Sequence, residues 1–159
     1  MRVVVLLATG LALIVVAAGC GASEPSLQTA AAELQKDTQR LETDDVFKNP
    51  TYKLRILQRP DKDIPCDKDK FKRVMRATAD YARIDEPLFH HLDRAQGLME
   101  NRLIRALGYE LDLDITQSDA DEGRFIYGMK GDSGVKVTVY VAPEAPTWRI
   151  HAQTACLSK

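Results

Sequence analysis

Across residues 87–108 the chain repeats apolar residues at helical steps, and past Gly108 it changes to alternation at every second residue. That change of period confines the fold to helices laid on an antiparallel sheet, because a one-sided helix and one-sided strands must bury their apolar faces together. Leu88, Leu92, Ala95, Met99, Leu103 and Leu107 form a single apolar line. Pro87 suits the first helical position, Asp85 or Glu86 can cap it, and Arg102 and Arg105 complement the helix dipole before Gly108 ends it. Four strand-like runs follow, over 109–115, 125–127, 135–141 and 148–156, with polar turns at 118–123, 131–134 and 143–146. The fold class this predicts is α+β: a four-stranded antiparallel meander, apolar on one face and polar on the other, packed against one or two amphipathic helices. On the last run Trp148, Ile150, Ala152, Thr154 and Cys156 share parity, which aims Cys156 at the core.

A second helix is predicted upstream. Ser26 can cap it, and Leu27, Ala30, Ala31, Leu34, Thr38 and Leu41 recur on one side before Asn49-Pro50 breaks the chain. Tyr52, Leu54 and Ile56 alternate as in a half-buried strand, and Pro60 and Pro65 bracket a charged turn that delivers Cys66. Residues 71–82 fit two periods. Phe71, Val74, Met75, Thr78 and Ala82 suit a helix face, whereas Phe71, Met75, Ala77, Ala79 and Tyr81 suit a strand face. The strand is favoured because it gives the meander a long partner, widening the sheet to five or six strands.

The first twenty residues carry a different message. After Met1-Arg2, residues 3–18 hold no charge, and only Thr9 and Gly10 interrupt the apolar run. At about 1.5 Å per residue such a stretch is shorter than the roughly 30 Å hydrocarbon core, so it suits an export signal better than a permanent span. Ala17-Ala18-Gly19-Cys20 resembles the bacterial lipobox, with Ala17 standing where leucine is preferred. The resemblance implies cleavage before Cys20 and attachment of diacylglycerol and fatty chains to it. It also implies a mature protein anchored to the cell membrane on its extracytoplasmic side. Residues 1–19 are then the signal peptide, 20–26 the lipidated N-terminus and tether, and 27–159 one extracytoplasmic domain. Two acyl chains hold a protein stably where one does not. The mature part is also similar to small lipoproteins of high-GC Gram-positive bacteria that end in a Thr-x-Cys strand, here Thr154-Ala-Cys156. Those proteins mostly lack known activities. Of the three cysteines, acylation of Cys20 leaves Cys66 and Cys156 to form a disulfide, as an oxidising compartment favours.

Removing residues 1–19 takes Arg2 from 22 basic residues set against 23 acidic ones, for a mature net charge of about −2. That balance provides no drive toward nucleic acid. No cofactor or metal motif is present, and no Cys-x-x-Cys occurs. Gly131-Asp-Ser-Gly134 matches the four residues around the nucleophile of trypsin-like proteases, but nothing else in the chain does, and it reads as a hairpin turn. His90 and His91 point about 100° apart on a helix, too far to share a metal easily, so an exposed Glu86–His90 pair is expected. Asp112, Asp114, Asp119, Asp121 and Glu122 form an acidic rim without the ligand order of a calcium loop. The function expected is a non-enzymatic envelope module whose partner, besides the membrane, is an envelope protein or a small apolar ligand carried between helix and sheet. An enzyme with an unrecognised site stays open as an alternative.

Overall fold

The computed structural model describes residues 25–114 and 122–159. The leader, Cys20 and most of the tether lie outside the described residues, as do Ile115, Asp119 and Asp121. Helix α1 (Leu27–Thr43) starts at Ser26, whose Oγ accepts the Thr29 N–H at 3.2 Å, and it buries the stripe its spacing predicts. A one-turn helix α2 (Asp45–Lys48) follows. Four short strands come next: β1 (Arg55–Gln58), β2 (Ile64–Asp67), β3 (Lys70–Lys72) and β4 (Val74–Ala79). The two-period stretch at 71–82 is thus extended. Its inward residues Met75, Ala77 and Ala79 are all buried, as alternation predicts, and Val74 at the strand's start is buried as well.

Helix α3 (Leu88–Asn101) begins one residue later than expected, with Pro87 as its cap and no side chain capping it. Asp85 and Glu86 therefore do not cap. Instead, Glu86 turns toward His91 on the first turn. A π-helical turn (Arg102–Leu107) completes the helix, and Gly108, at φ +76°, stops it in the left-handed region as anticipated. Strands β5 (Glu110–Asp112), β6 (Arg124–Lys130), β7 (Val135–Val141), β8 (Trp148–Gln153) and β9 (Leu157–Ser158) finish the chain.

The strands form a six-stranded antiparallel sheet in the order β1-β4-β8-β7-β6-β5 and a small sheet β2-β3-β9. The sheet is wider than four strands, since β4 and β1 extend it beyond β8 to the six that an extended 71–82 allows. Helices α1 and α3 cover one face. Leu34, Leu92, Ala95 and Met99 from the helices meet Met75, Val139, Val141 and Trp148 from the sheet, all at or below 1% exposure. Trp148 closes this layer, its indole N–H donating to the Ala95 carbonyl at 3.0 Å and its ring meeting Phe47 edge-on.

Where the two sheets join, Thr154 bridges them. Its N–H donates to Arg73 O, and its Oγ1 accepts the Arg73 N–H, each at 3.0 Å. Cys66 and Cys156 are bonded across 90 residues, with their Cα atoms 6.0 Å apart. Two details of their surroundings differ from expectation. Cys66 belongs to β2 and is exposed, and β8 ends at Gln153, so Cys156 lies half-buried at a bend outside the core.

Candidate functional site: the uncovered face of the large sheet

The residues singled out from the sequence do not converge. The turn 131–134 joins β6 to β7, and the Gly134 N–H donates to Lys130 O at 2.8 Å with Gly134 at φ +64°. Ser133 is buried in that turn, and among the described residues its Oγ has no hydrogen-bond partner, so no base stands ready to activate it. The histidine expectation is corrected in a specific way. His90 is exposed, and it is His91, 2% exposed, that lies 3.7 Å from Glu86 Oε1. Burial holds the His91 imidazole below its ordinary basicity, with Arg83 and Arg94 adding to the effect and Glu86 opposing it. Asp112, Asp114 and Glu122 are exposed, as a solvated rim should be. Among the described residues no three His, Cys, Asp or Glu side chains could together hold a metal ion.

A charged cluster lies where α1 meets the end of β6. Lys130 Nζ is 2.7 Å from both Glu33 Oε1 and Asp37 Oδ1, and the Tyr109 hydroxyl donates to Asp37 Oδ2 at 2.8 Å. Asp37 is 1% exposed. Burial pushes its carboxyl above the usual range against the pull of Lys130 and Tyr109, while the hydrogen bond from Lys130 lowers that of Glu33. The Tyr109 phenol is pushed far up by burial and by Asp37. A cleft of about 440 Å³ opens beside the cluster, lined by Glu33, Glu110, Asp132 and Ser133 among others. Two carboxylates grip the Lys130 side chain from α1. The cluster fastens the helix to the sheet.

The opposite face of the sheet has no helix on it among the described residues. Cross-strand register sets its composition. One row runs Asp112, Tyr127, Thr138, His151, Arg76, and the next runs Phe125, Tyr140, Arg149, Thr78, Arg55. Glu110, Met129 and Lys136 begin a third. Phe125, Tyr127 and Met129 are 43%, 37% and 45% exposed, so the face expected to be polar carries an apolar patch. The Phe125 and Tyr127 rings are stacked with centroids 5.9 Å apart, and Tyr140 is 4.8 Å from Phe125. The Arg149 guanidinium sits 5.5 Å over the Tyr140 ring. Burial, with the nearby Arg76 and Lys72 adding to it, keeps His151 less basic than usual. A groove of about 380 Å³ runs along the β5–β7 side of this face.

Sequence reading missed both features, though each left a trace. Asp37 sits between Leu34 and Leu41 on the buried side of α1, and Lys130 shares inward parity with Ile126. Two opposite charges at core positions are a pairing signal. Phe125, Tyr127 and Met129 share outward parity with Lys136 and Arg149 through the register. That relation needs strand pairing and is not available to periodicity alone. No family model, curated protein or solved structure matches this chain.

Proposed function

We propose that this chain is a lipid-anchored, extracytoplasmic interaction module that presents the uncovered sheet face to a component of the cell envelope. The single observation that carries the interaction is that face itself. It sets three exposed apolar side chains beside cations, on a rigid sheet whose other side is fully packed. The lipobox-like Ala17-Ala18-Gly19-Cys20 supports the anchor, and a disulfide between Cys66 and Cys156 suits an oxidising compartment. Among the described residues no helix is long and apolar enough to cross a membrane; the attachment in this reading is the lipid on Cys20.

The test is expression of the full chain in bacteria fed an alkyne fatty acid. Wild type should be labelled and sediment with membranes, and Cys20→Ala should be unlabelled and released. Equal labelling of the two, or none in the wild type, overturns the anchored reading.

A further inference from the structure

We infer that the uncovered sheet face packs against the same face of a second copy of this chain, forming a two-fold symmetric dimer. This rests on the reading of that face as an interaction surface and names its partner. The outward charges of the large sheet are sorted by strand. At one edge β5 carries Glu110 and Asp112, whereas β7, β8, β4 and β1 carry Lys136, Arg149, Arg76 and Arg55, all exposed. Between these zones β6 presents no outward charge, only Phe125, Tyr127 and Met129. A face that is acidic on one side, basic on the other and apolar between is complementary to itself when turned over, because a two-fold axis exchanges its two sides.

The register fixes which groups meet. Asp112 and Arg76 stand at the two ends of one cross-strand row, with Tyr127, Thr138 and His151 between them. Strand steps of about 4.8 Å put them roughly 19 Å apart, too far to pair within one copy. An axis lying between the two sheets and running along β7 sets β5 of one copy over β4 of the other, and β6 over β8. Asp112 then faces Arg76 twice, once on each side of the axis, and Tyr127 faces His151. Thr138 and Tyr140 lie at the axis, as does Lys136, whose two copies meet there as like charges. Sheets packed face to face stand about 10 Å apart with their strands within about 30° of one another, a gap that arginine and aspartate side chains span together. The longer of the five overlapping strands have six or seven residues, which gives a contact roughly 20 Å square on each copy. That is the low end for a specific interface, so association is weak and depends on concentration.

The experiment is sedimentation of the full chain, purified in detergent, over a wide range of concentrations. Wild type should pass from monomer to dimer as concentration rises. Asp112→Arg alone and Arg76→Glu alone should each weaken the dimer about tenfold or more, since each sets like charges against one another at both contacts. Mixing the two variants should restore the dimer, because each reversed residue then meets its opposite on the other copy. Lys136→Gln should tighten it by relieving the meeting at the axis. All these positions are exposed, so the melting temperature should not change. If a reversal lowers it, Asp112→Asn and Arg76→Gln supply the comparison with smaller effects of the same sign. A wild type that stays monomeric at every concentration overturns the inference, and that is the outcome if a different envelope component occupies the face. So does a dimer indifferent to either reversal, a mixture that fails to reassociate, or a Lys136→Gln dimer weaker than wild type. Sedimentation reads the pairing whether or not Cys20 is acylated, so a failure of fatty-acid labelling leaves its result standing.

Discussion

Replacing Lys130 by methionine keeps an unbranched side chain of similar length and removes the ammonium, which lies 4.9 Å from the centre of the Tyr109 ring. The loss falls mainly on Asp37, which is 1% exposed and cannot turn to water. Breaking a buried ion pair by deleting one partner costs about 3–5 kcal/mol. Two features reduce that figure here. Glu33, with its side chain 28% exposed, can rehydrate, and Asp37 keeps the hydrogen bond from Tyr109. A loss of about 2–4 kcal/mol remains, which for a domain of this size lowers the melting temperature by roughly 10 °C. The deficit also carries a pH signature. Without its cation, Asp37 has a folded-state pKa further above the unfolded value than in the wild type, so the folded variant binds more protons over that interval. Stability then recovers as pH falls toward the ordinary carboxyl range. Circular dichroism melts and urea titrations of both proteins at pH 7 and pH 5 measure the difference. Lys130→Met/Asp37→Leu should regain most of the loss at pH 7. A deficit below about 0.5 kcal/mol, or one equal at the two pH values, refutes the claim that this cluster holds α1 to β6.

Two further outcomes follow from the same structure. Cys66→Ser releases a 90-residue loop; it should cost about 2–4 kcal/mol, and a thiol-reactive mass tag should mark the denatured domain's two cysteines in the wild type only after reduction. Burial lowers the pKa of His91 and of His151, so below about 6.5 the unfolded chain takes up protons that the folded one refuses, and stability falls as pH drops through that value. His91→Gln should flatten the fall in chemical denaturation between pH 7.5 and 5.5, and an unchanged slope would remove His91 from the account.

What the sequence made legible was long and strongly periodic. The stripe of α1, the line from Leu88 to Leu107 and the alternation of 135–141 each repeat often enough to fix a face, and Gly108 fixes an end. The small sheet was not legible, because β2, β3 and β9 have two to four residues each and a period needs more repeats than that to show. Cys156 was assigned to the core by extending the parity of β8 past Gln153, where the chain had already bent toward the other sheet. A four-residue spacing points Glu86 at His90 only if both lie within one helix, whereas Glu86 lies ahead of the helix start and turns back onto its first turn, toward His91. For the candidate face, the component residues were visible but their adjacency was not, since it arises from pairing between strands far apart in sequence.

The position of β8 bears on how the chain must be made. This strand follows the other five strands of the large sheet in the chain, yet it lies inside the sheet, between β4 and β7. Until residues 148–153 arrive, β4 with its outer neighbour β1 has nothing to pair with on its inner side, and the two halves of the sheet remain separate. Closure therefore waits for the sixth of the sheet's strands, and the contacts it makes span about seventy residues or more, from 74–79 to 148–153. Such long-range pairing is slow to form and leaves unpaired edges open meanwhile. A premature stop before Trp148 would remove the middle of the sheet rather than its margin, so truncated products should have no reduced version of this fold to fall back on.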